Sequence, residues 1–252
     1  MERISRLFGL IIGLIFVYIF SGGIAAIFTS IFFGDFNKYI TVCLANFITL
    51  ALLYTFSEKD KSIFNKYNIK KISYKEIVYI SLFGFGFSMV LLILIDPLTE
   101  IFPSYLQVSN QILSDATSFL NLIVIIILGP IFEEVLFRGI IFNHLKNNYS
   151  FVVAVILQAL LFGLAHGNIV QFIYTSISGI LFVLVYIYCG SILGSILLHM
   201  VFNFCGSVVP RFLNINDNIT YLVHIVGIVC FIFMSFKMLS DYKKRYGTRE
   251  CN

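Results

Sequence analysis

The sequence predicts an all-α, polytopic membrane protein with about eight transmembrane helices and any active site inside the helix bundle. Of its 252 residues, 59% are hydrophobic and 12% are charged, whereas a soluble domain has about 25% charged residues. The apolar residues are grouped in runs, several close to the ~20 residues that cross a bilayer. Lysine and arginine are concentrated at alternate ends of these runs, as cytoplasmic loops require.

Eight apolar runs account for most of the chain. They cover residues 7–33, 39–56, 77–95, 120–142, 151–166, 169–188, 191–209 and 219–238. The first run follows Arg3 and Arg6 and begins like a secretory signal peptide. It is longer than the 7–15 apolar residues of such a signal. We therefore expect an uncleaved first span.

The connecting segments differ in charge. The most polar one, residues 57–76, carries six lysines, whereas residues 96–118 carry acidic residues but no lysine or arginine. Lys146 follows the fourth run, and the chain ends with a basic segment. With eight spans, both termini and both lysine-bearing loops fall on the cytoplasmic side. The composition, rich in Ile, Phe, Lys and Asn, is compatible with the plasma membrane of a low-GC bacterium.

No internal repeat, linker or low-complexity tract divides the chain, so residues 1–252 are predicted to form a single integral-membrane domain. Its motif-bearing core is about residues 120–210. Because the basic residues flank the spans, the lipid bilayer explains them and no nucleic-acid partner is expected. The five cysteines show no C-x-x-C spacing, which argues against a disulfide framework or cysteine metal site. The oligomeric state is left open.

The fourth run carries three charged residues, Glu133, Glu134 and Arg138. Each costs at least about 2.5 kcal/mol at the centre of a membrane helix, so such residues usually mark a site. Glu134 and Arg138 are four residues apart and can pair on one helix face. Glu133 points about 100° away and is left without this partner. Pro130 removes a backbone donor, so we expect a kink or break that frees carbonyls nearby. The alternative is a purely structural ion network.

Two later runs also carry polar residues. His166 lies four residues after Phe162, and Asn203 lies four residues after His199, so each pair shares a helix face. At ~1.5 Å per residue from the cytoplasmic ends, Glu133 and His199 both lie about 15 Å deep. Asn203 would lie about 20 Å deep and His166 about 24 Å deep. Counting therefore places Glu133 and His199 together but does not place His166 with them.

If these side chains converge, they form a set suited to hydrolysis. Glu133 can take a proton from water, one imidazole can share that proton, and the other imidazole and Asn203 can donate to an oxyanion. The chemistry indicated is attack of water on an amide carbonyl. A zinc site with Glu133, His166 and His199 as candidate ligands stays open, because two histidines and a glutamate are a known zinc ligand set. The H-E-x-x-H arrangement is absent.

Three motifs carry a resemblance to a known family. They are E-E-x-x-x-R at 133–138, F-x-x-x-H at 162–166 and H-x-x-x-N at 199–203. In this order, on separate predicted spans, they resemble the intramembrane endopeptidases related to the type II CAAX prenyl protease. In bacteria this family is grouped with bacteriocin self-immunity and bacteriocin-processing proteins.

The resemblance implies residue roles that spacing does not show. Glu133 and His166 would activate water, His199 and Asn203 would stabilise the oxyanion, and Glu134 and Arg138 would support the site. The family has been described both as metal-dependent and as a metal-free glutamate protease, so no cofactor is certain and zinc stays open.

The implied substrate is a peptide or a membrane-associated protein. Bacteriocin maturation or self-immunity is the more natural role, with CAAX-like processing as another. The competing hypothesis is a non-catalytic membrane immunity or binding protein in which the polar residues form a structural network.

Overall fold

The computed structural model describes residues 2–33, 38–57, 69–115, 117–212 and 218–246, and within these ranges every regular element is a helix. The predicted all-α fold class is confirmed. Several basic residues used in the topology prediction lie outside the described residues or have no described side chain, and so does Cys251. The basic residues concerned are Arg3, Lys59, Lys61, Lys66 and Arg249.

The described residues form nine longer helices, numbered here in chain order. They are α1 Glu2–Phe33, α2 Lys38–Ser57, α3 Tyr74–Ile101, α4 Tyr105–Asp115, α5 Phe119–Asn148, α6 Phe151–Leu164, α7 Ile169–Cys189, α8 Ile192–Val208 and α9 Asn218–Tyr246. A single 3₁₀ turn, Val209–Phe212, follows α8.

Eight of these helices correspond to the eight predicted spans. Within the described ranges, six are long and apolar enough to cross a membrane, whereas α6 and α8 are apolar but have only 14 and 17 residues. The chain is an integral membrane protein, and the count of eight spans is approximate. Many large apolar side chains on α1, α2 and α9 are exposed, as expected for surfaces that face lipid.

The bundle centre is built from α3, which packs against α8 and α9, and from α6, which packs against α7. The α3–α9 crossing is very close at Gly86. A Cβ atom there would lie 2.5 Å from both the carbonyl oxygen of Gly227 and the amide nitrogen of Phe231. The helix backbones are therefore in direct contact. The α1 and α2 helices pack against each other, and Tyr18 of α1 stacks on Phe132 of α5.

Ion pairs join α3 to α9 at the basic end of the bundle. Lys75 lies 2.7 Å from Asp241, and Arg245 lies 2.6 Å from Glu76. Glu76 also completes a capping box with Ser73, which defines the start of α3. These contacts fix the end of α9 against the start of α3.

The α4 helix was not predicted, since its residues were assigned to an acidic loop. It is short and amphipathic, and Tyr105 is buried in a cluster with Phe87, Leu91 and Tyr174. This arrangement places α4 across the end of the bundle opposite the basic ion pairs, because α3 leads directly into it.

Candidate active site

The charged motif lies on a helix of irregular geometry. Within α5, two π-helical segments, Val124–Leu128 and Val135–Phe142, flank an α-helical turn, Gly129–Glu134. A π segment inserts an extra residue into a helix and is frequently found at functional sites. The sequence predicted a kink or break at Pro130. The structure instead keeps α5 continuous and absorbs the missing donor in the π segment before Pro130.

Glu134 and Arg138 form a buried ion pair, as their spacing predicted. Arg138 Nη1 lies 2.8 Å from Glu134 Oε1, and both side chains are fully buried. The guanidinium carbon lies 4.4 Å from the ring centre of Phe162 and 5.0 Å from that of Phe182. A buried charge is tolerated only when it is paired and hydrogen-bonded. The two rings and the carboxylate together provide such a site for Arg138.

Glu134 also holds His199. Nδ1 of His199 lies 2.9 Å from the same Oε1 atom that accepts from Arg138. Because a carboxylate only accepts, Nδ1 carries the hydrogen in this contact. In the neutral ring Nε2 is then left with a lone pair. This contact joins α8 to α5 and was not predicted from the sequence, which gave Glu134 only the pairing with Arg138.

Glu133 faces the other nitrogen of His199. Its Oε2 atom lies 3.8 Å from His199 Nε2 and is buried without a hydrogen-bond partner among the described residues. The Glu133 side chain as a whole is 30% exposed, compared with 0% for Glu134. The two adjacent glutamates therefore have different surroundings: one is an internal anchor, and the other reaches a cavity.

His166 lies in the turn that follows α6, and its Nδ1 donates to the carbonyl of Phe162 at 2.8 Å. The rings of His166 and His199 both approach the Phe162 ring, with centroid distances of 5.0 and 5.8 Å. The depth count had separated His166 from the other residues because it assumed a straight helix through residue 166. In the structure α6 ends at Leu164, and the imidazole folds back toward Phe162.

Asn203 lies one turn after His199 on α8. Its Nδ2 donates to the carbonyl of Ile125 in α5 at 2.8 Å. One of its two amide hydrogens is therefore used within the protein. The resemblance gave Asn203 the role of an oxyanion donor, and that role stays a prediction.

One cavity of about 480 Å³ is lined by all four predicted catalytic residues, Glu133, His166, His199 and Asn203. Its other walls come chiefly from the C-terminal half of α3, from α4, from the start of α7 and from the end of α8. All of these lie at the α4 end of the bundle. The cavity thus extends from Glu133 away from the lysines at the start of α3 and the end of α9.

The candidate zinc ligands do not fit a three-ligand metal site. Among the described residues, no three His, Cys, Asp or Glu side chains are grouped closely enough to hold a metal ion. Glu133 and His199 offer two facing ligand atoms, whereas Nδ1 of His166 is engaged by the Phe162 carbonyl. The donor set matches a water held by two acceptors better than a zinc ion.

Sequence reasoning did not identify Gln158 or Phe182. Gln158 is fully buried on α6, and its Nε2 donates at 3.1 Å to the carbonyl of Gly179, which Arg138 Nη2 also approaches at 3.4 Å. Phe182 packs on the guanidinium and the His199 ring. Gln158 could have been noticed as a lone amide in an apolar run. Phe182 could not, because nothing distinguishes it from the other aromatic residues of α7.

Comparison with known proteins covers the segment that carries the site. Residues 115–205 match the family model described as type II CAAX prenyl endopeptidase, Rce1-like. The "Putative membrane peptidase YdiL" of Bacillus subtilis (strain 168) is 30% identical over 80 residues, which are 31% of this chain and 33% of that protein. The chain therefore spans about a third of the length of this curated relative. No solved structure matches significantly. The family resemblance predicted from the three motifs is confirmed.

Proposed function

We propose that this chain, whose residues 115–205 form an Rce1-like segment of a membrane protease family, is an intramembrane endopeptidase. In this proposal Glu133 and His199 activate the water that attacks a peptide bond. The observation that carries it is the 3.8 Å separation of Glu133 Oε2 from His199 Nε2 at the wall of the cavity. Glu134 fixes the imidazole so that this nitrogen faces Glu133.

The two facing atoms suit a single water molecule. A water oxygen at about 2.8 Å from each would donate one hydrogen to Glu133 Oε2 and the other to His199 Nε2. Both protein atoms accept in this arrangement, so the lone pairs of the water are free to point into the cavity. This polarisation is what a general base supplies to a nucleophilic water.

The reaction then needs only protein groups and water. The water oxygen forms a bond to the carbonyl carbon, its proton passes to Glu133, and the carbonyl π electrons move onto the oxygen. When the tetrahedral intermediate collapses, the C–N bond breaks and Glu133 returns the proton to the leaving amine nitrogen. His166 also lines the cavity, and because its Nδ1 donates to the Phe162 carbonyl, the Nε2 of its neutral ring is an acceptor that can share the proton of the attacking water. Glu134 and Arg138 support the site.

The position of the cavity also indicates the face of the membrane from which the substrate enters. Its α4 end lies opposite the lysines and arginines of α3, α5 and α9. With those basic residues in the cytoplasm of a bacterium and both termini on that side, the substrate approaches from the outer face. A peptide or membrane-tethered protein outside the cell fits this access better than a cytoplasmic prenylated protein. Bacteriocin maturation or self-immunity are the roles we propose for it.

The test is cleavage by the purified protein. Wild type, His199→Ala and the control Glu100→Gln, an exposed acidic residue on α3, are incubated in detergent with candidate peptides and the products are read by mass spectrometry. We expect wild type and the control to cleave and His199→Ala to be slower by about 100-fold or more. If no peptide is cleaved, while immunity in cells survives His199→Ala, the protein is a non-catalytic binding protein.

A further inference from the structure

The carbonyl of Ile125 has lost the backbone donors that a helix would give it. In the π-helical segment the amide of Gly129 bonds to the carbonyl of Val124, five residues back. The donor five residues after Ile125 would bond to the Ile125 carbonyl in the same way, but residue 130 is a proline and has no N–H. The amide four residues after Ile125, the α-helical donor, is that of Gly129 and is already engaged.

A side chain from another helix supplies the missing donor. Asn203 Nδ2 of α8 donates to the Ile125 carbonyl at 2.8 Å. Pro130 is buried, whereas Ile125 is half-buried and lines the cavity, and Asn203 is the partner that the structure gives its carbonyl. Freed carbonyls at membrane depth need a partner from neighbouring helices or water. The Asn203 amide meets this requirement for the carbonyl that Pro130 leaves open.

Two contacts between α8 and α5 flank Glu133 along the chain. His199 bonds to Glu134, next to Glu133, and Asn203 bonds to Ile125, in the π segment before Pro130. Together they determine how far the Gly129–Glu134 turn is rotated and advanced relative to α8. That rotation decides whether Glu133 Oε2 faces His199 Nε2.

We propose that Asn203 is a positioning residue that replaces the backbone N–H missing at Pro130 and so aims Glu133 at His199. The kinetic test of this inference rests on the proposed function, whereas its test by thermal unfolding does not. It gives Asn203 a role that acts through the α5 backbone. It also explains why an imino acid is tolerated one turn before Glu133.

A double-mutant cycle between Asn203 and Pro130 tests the proposal. Asn203→Leu removes the donor, and Pro130→Ala supplies a backbone N–H in the register that Gly129 already follows. We expect Asn203→Leu to lower kcat by about 100-fold with KM nearly unchanged, since misplacement by about 1 Å costs that much. Pro130→Ala alone stays within about threefold of wild type, and the double variant recovers most of the lost kcat.

Pro97→Ala is the matched control, because Pro97 is also within a helix but far from Ile125 in the chain. Combined with Asn203→Leu it should restore nothing. If the Pro130→Ala double variant is folded and as slow as Asn203→Leu alone, the proposal is overturned and Asn203 acts on the substrate. Asn203→Asp, an isosteric acceptor when ionised, replaces Asn203→Leu if the latter does not fold.

Thermal unfolding in detergent gives a readout that does not need activity. Asn203→Leu should lower Tm clearly in the wild-type background and much less in the Pro130→Ala background, because the Ile125 carbonyl is then satisfied. Equal losses in both backgrounds would overturn the proposal. If wild type cleaves no peptide, the proposed function fails while this measurement still decides the role of Asn203.

Discussion

Glu134 is the residue on which the candidate site depends structurally. One of its oxygens accepts from both Arg138 and His199, and all three side chains are at least nine-tenths buried. The guanidinium of Arg138 lies against two aromatic rings and takes Glu134 as its ion-pair partner. Without the Glu134 charge, the guanidinium would be an uncompensated charge inside the bundle, and His199 would lose its charged partner.

Glu134→Gln should therefore lower the free energy of unfolding by about 3–5 kcal/mol, the usual cost of breaking a buried ion pair by removing one partner. Unfolding in mixed detergents would measure this. Glu100→Gln, at an exposed position, serves as the control and should change the free energy by less than about 0.5 kcal/mol. A loss below about 1 kcal/mol for Glu134→Gln would show that the pair contributes little.

The pH dependence of hydrolysis follows from the hydrogen-bond roles of His199. Its Nδ1 donates to Glu134, so Nε2 can accept from water only while the ring is neutral. Glu133 must also be ionised to accept. We expect kcat/KM to fall as pH is lowered. The opposite trend, activity lost as pH rises, would assign His199 a donor role toward the oxyanion.

At the scale of the helices, apolar runs were sufficient to predict the spans but not their irregularities. Each long run became a helix because a backbone in lipid must satisfy its own polar groups. The π segments of α5 were not predictable, since an apolar run does not show where a helix takes up an extra residue. The α4 helix was missed because an 11-residue mixture of polar and apolar residues gives only a weak helical signal.

Asp115 ties α4 to α2. Although burial alone would raise the pKa of Asp115, hydrogen bonds from Lys38, Tyr39 and Gln111 hold that pKa below its usual range. Because the pKa is depressed in the folded protein, the stabilisation is present above the usual Asp pKa of about 3.9. It is lost as pH falls through the depressed value.

Asp115→Asn should therefore lower Tm at neutral pH, and its difference from wild type should shrink as the pH is reduced below about 4. Thermal unfolding at a series of pH values measures this, with Asp96→Asn as the matched acidic control on the neighbouring helix. A Tm difference that does not depend on pH would show that the Asp115 charge does not hold α4.

For the molecule as a whole, the sequence predicted which residues form the candidate site better than it predicted how those residues contact one another. The motifs singled out Glu133, His166, His199 and Asn203, and the structure lines one cavity with all four. The sequence could not show that Glu134 orients His199, because that contact joins residues 65 positions apart. The depth count separated His166 from the other three residues, because a count of residues does not show that α6 ends at Leu164. That residues 1–252 form a single domain stays a prediction.

The proposed side of access can be measured in intact cells. The background is a variant with its five cysteines replaced. Ser109 lies on the α4 wall of the cavity. The substitution Ser109→Cys should therefore introduce a thiol that reacts with a membrane-impermeant maleimide. The substitution Lys146→Cys, at an exposed position in the last turn of α5, should give a thiol that reacts only after the cells are opened. The reverse pattern would place the cavity on the cytoplasmic side.

The proposed role of Glu133 as the base is tested most directly by the kcat of Glu133→Gln on a peptide that wild type cleaves. The introduced amide cannot take a proton from water but keeps the size of the side chain, and Glu133 is not part of the buried ion pair. We expect kcat to fall by about 10²–10⁴-fold, with Tm within a few degrees of wild type. A folded Glu133→Gln variant that retains kcat within about threefold would contradict the proposal that Glu133 activates the water.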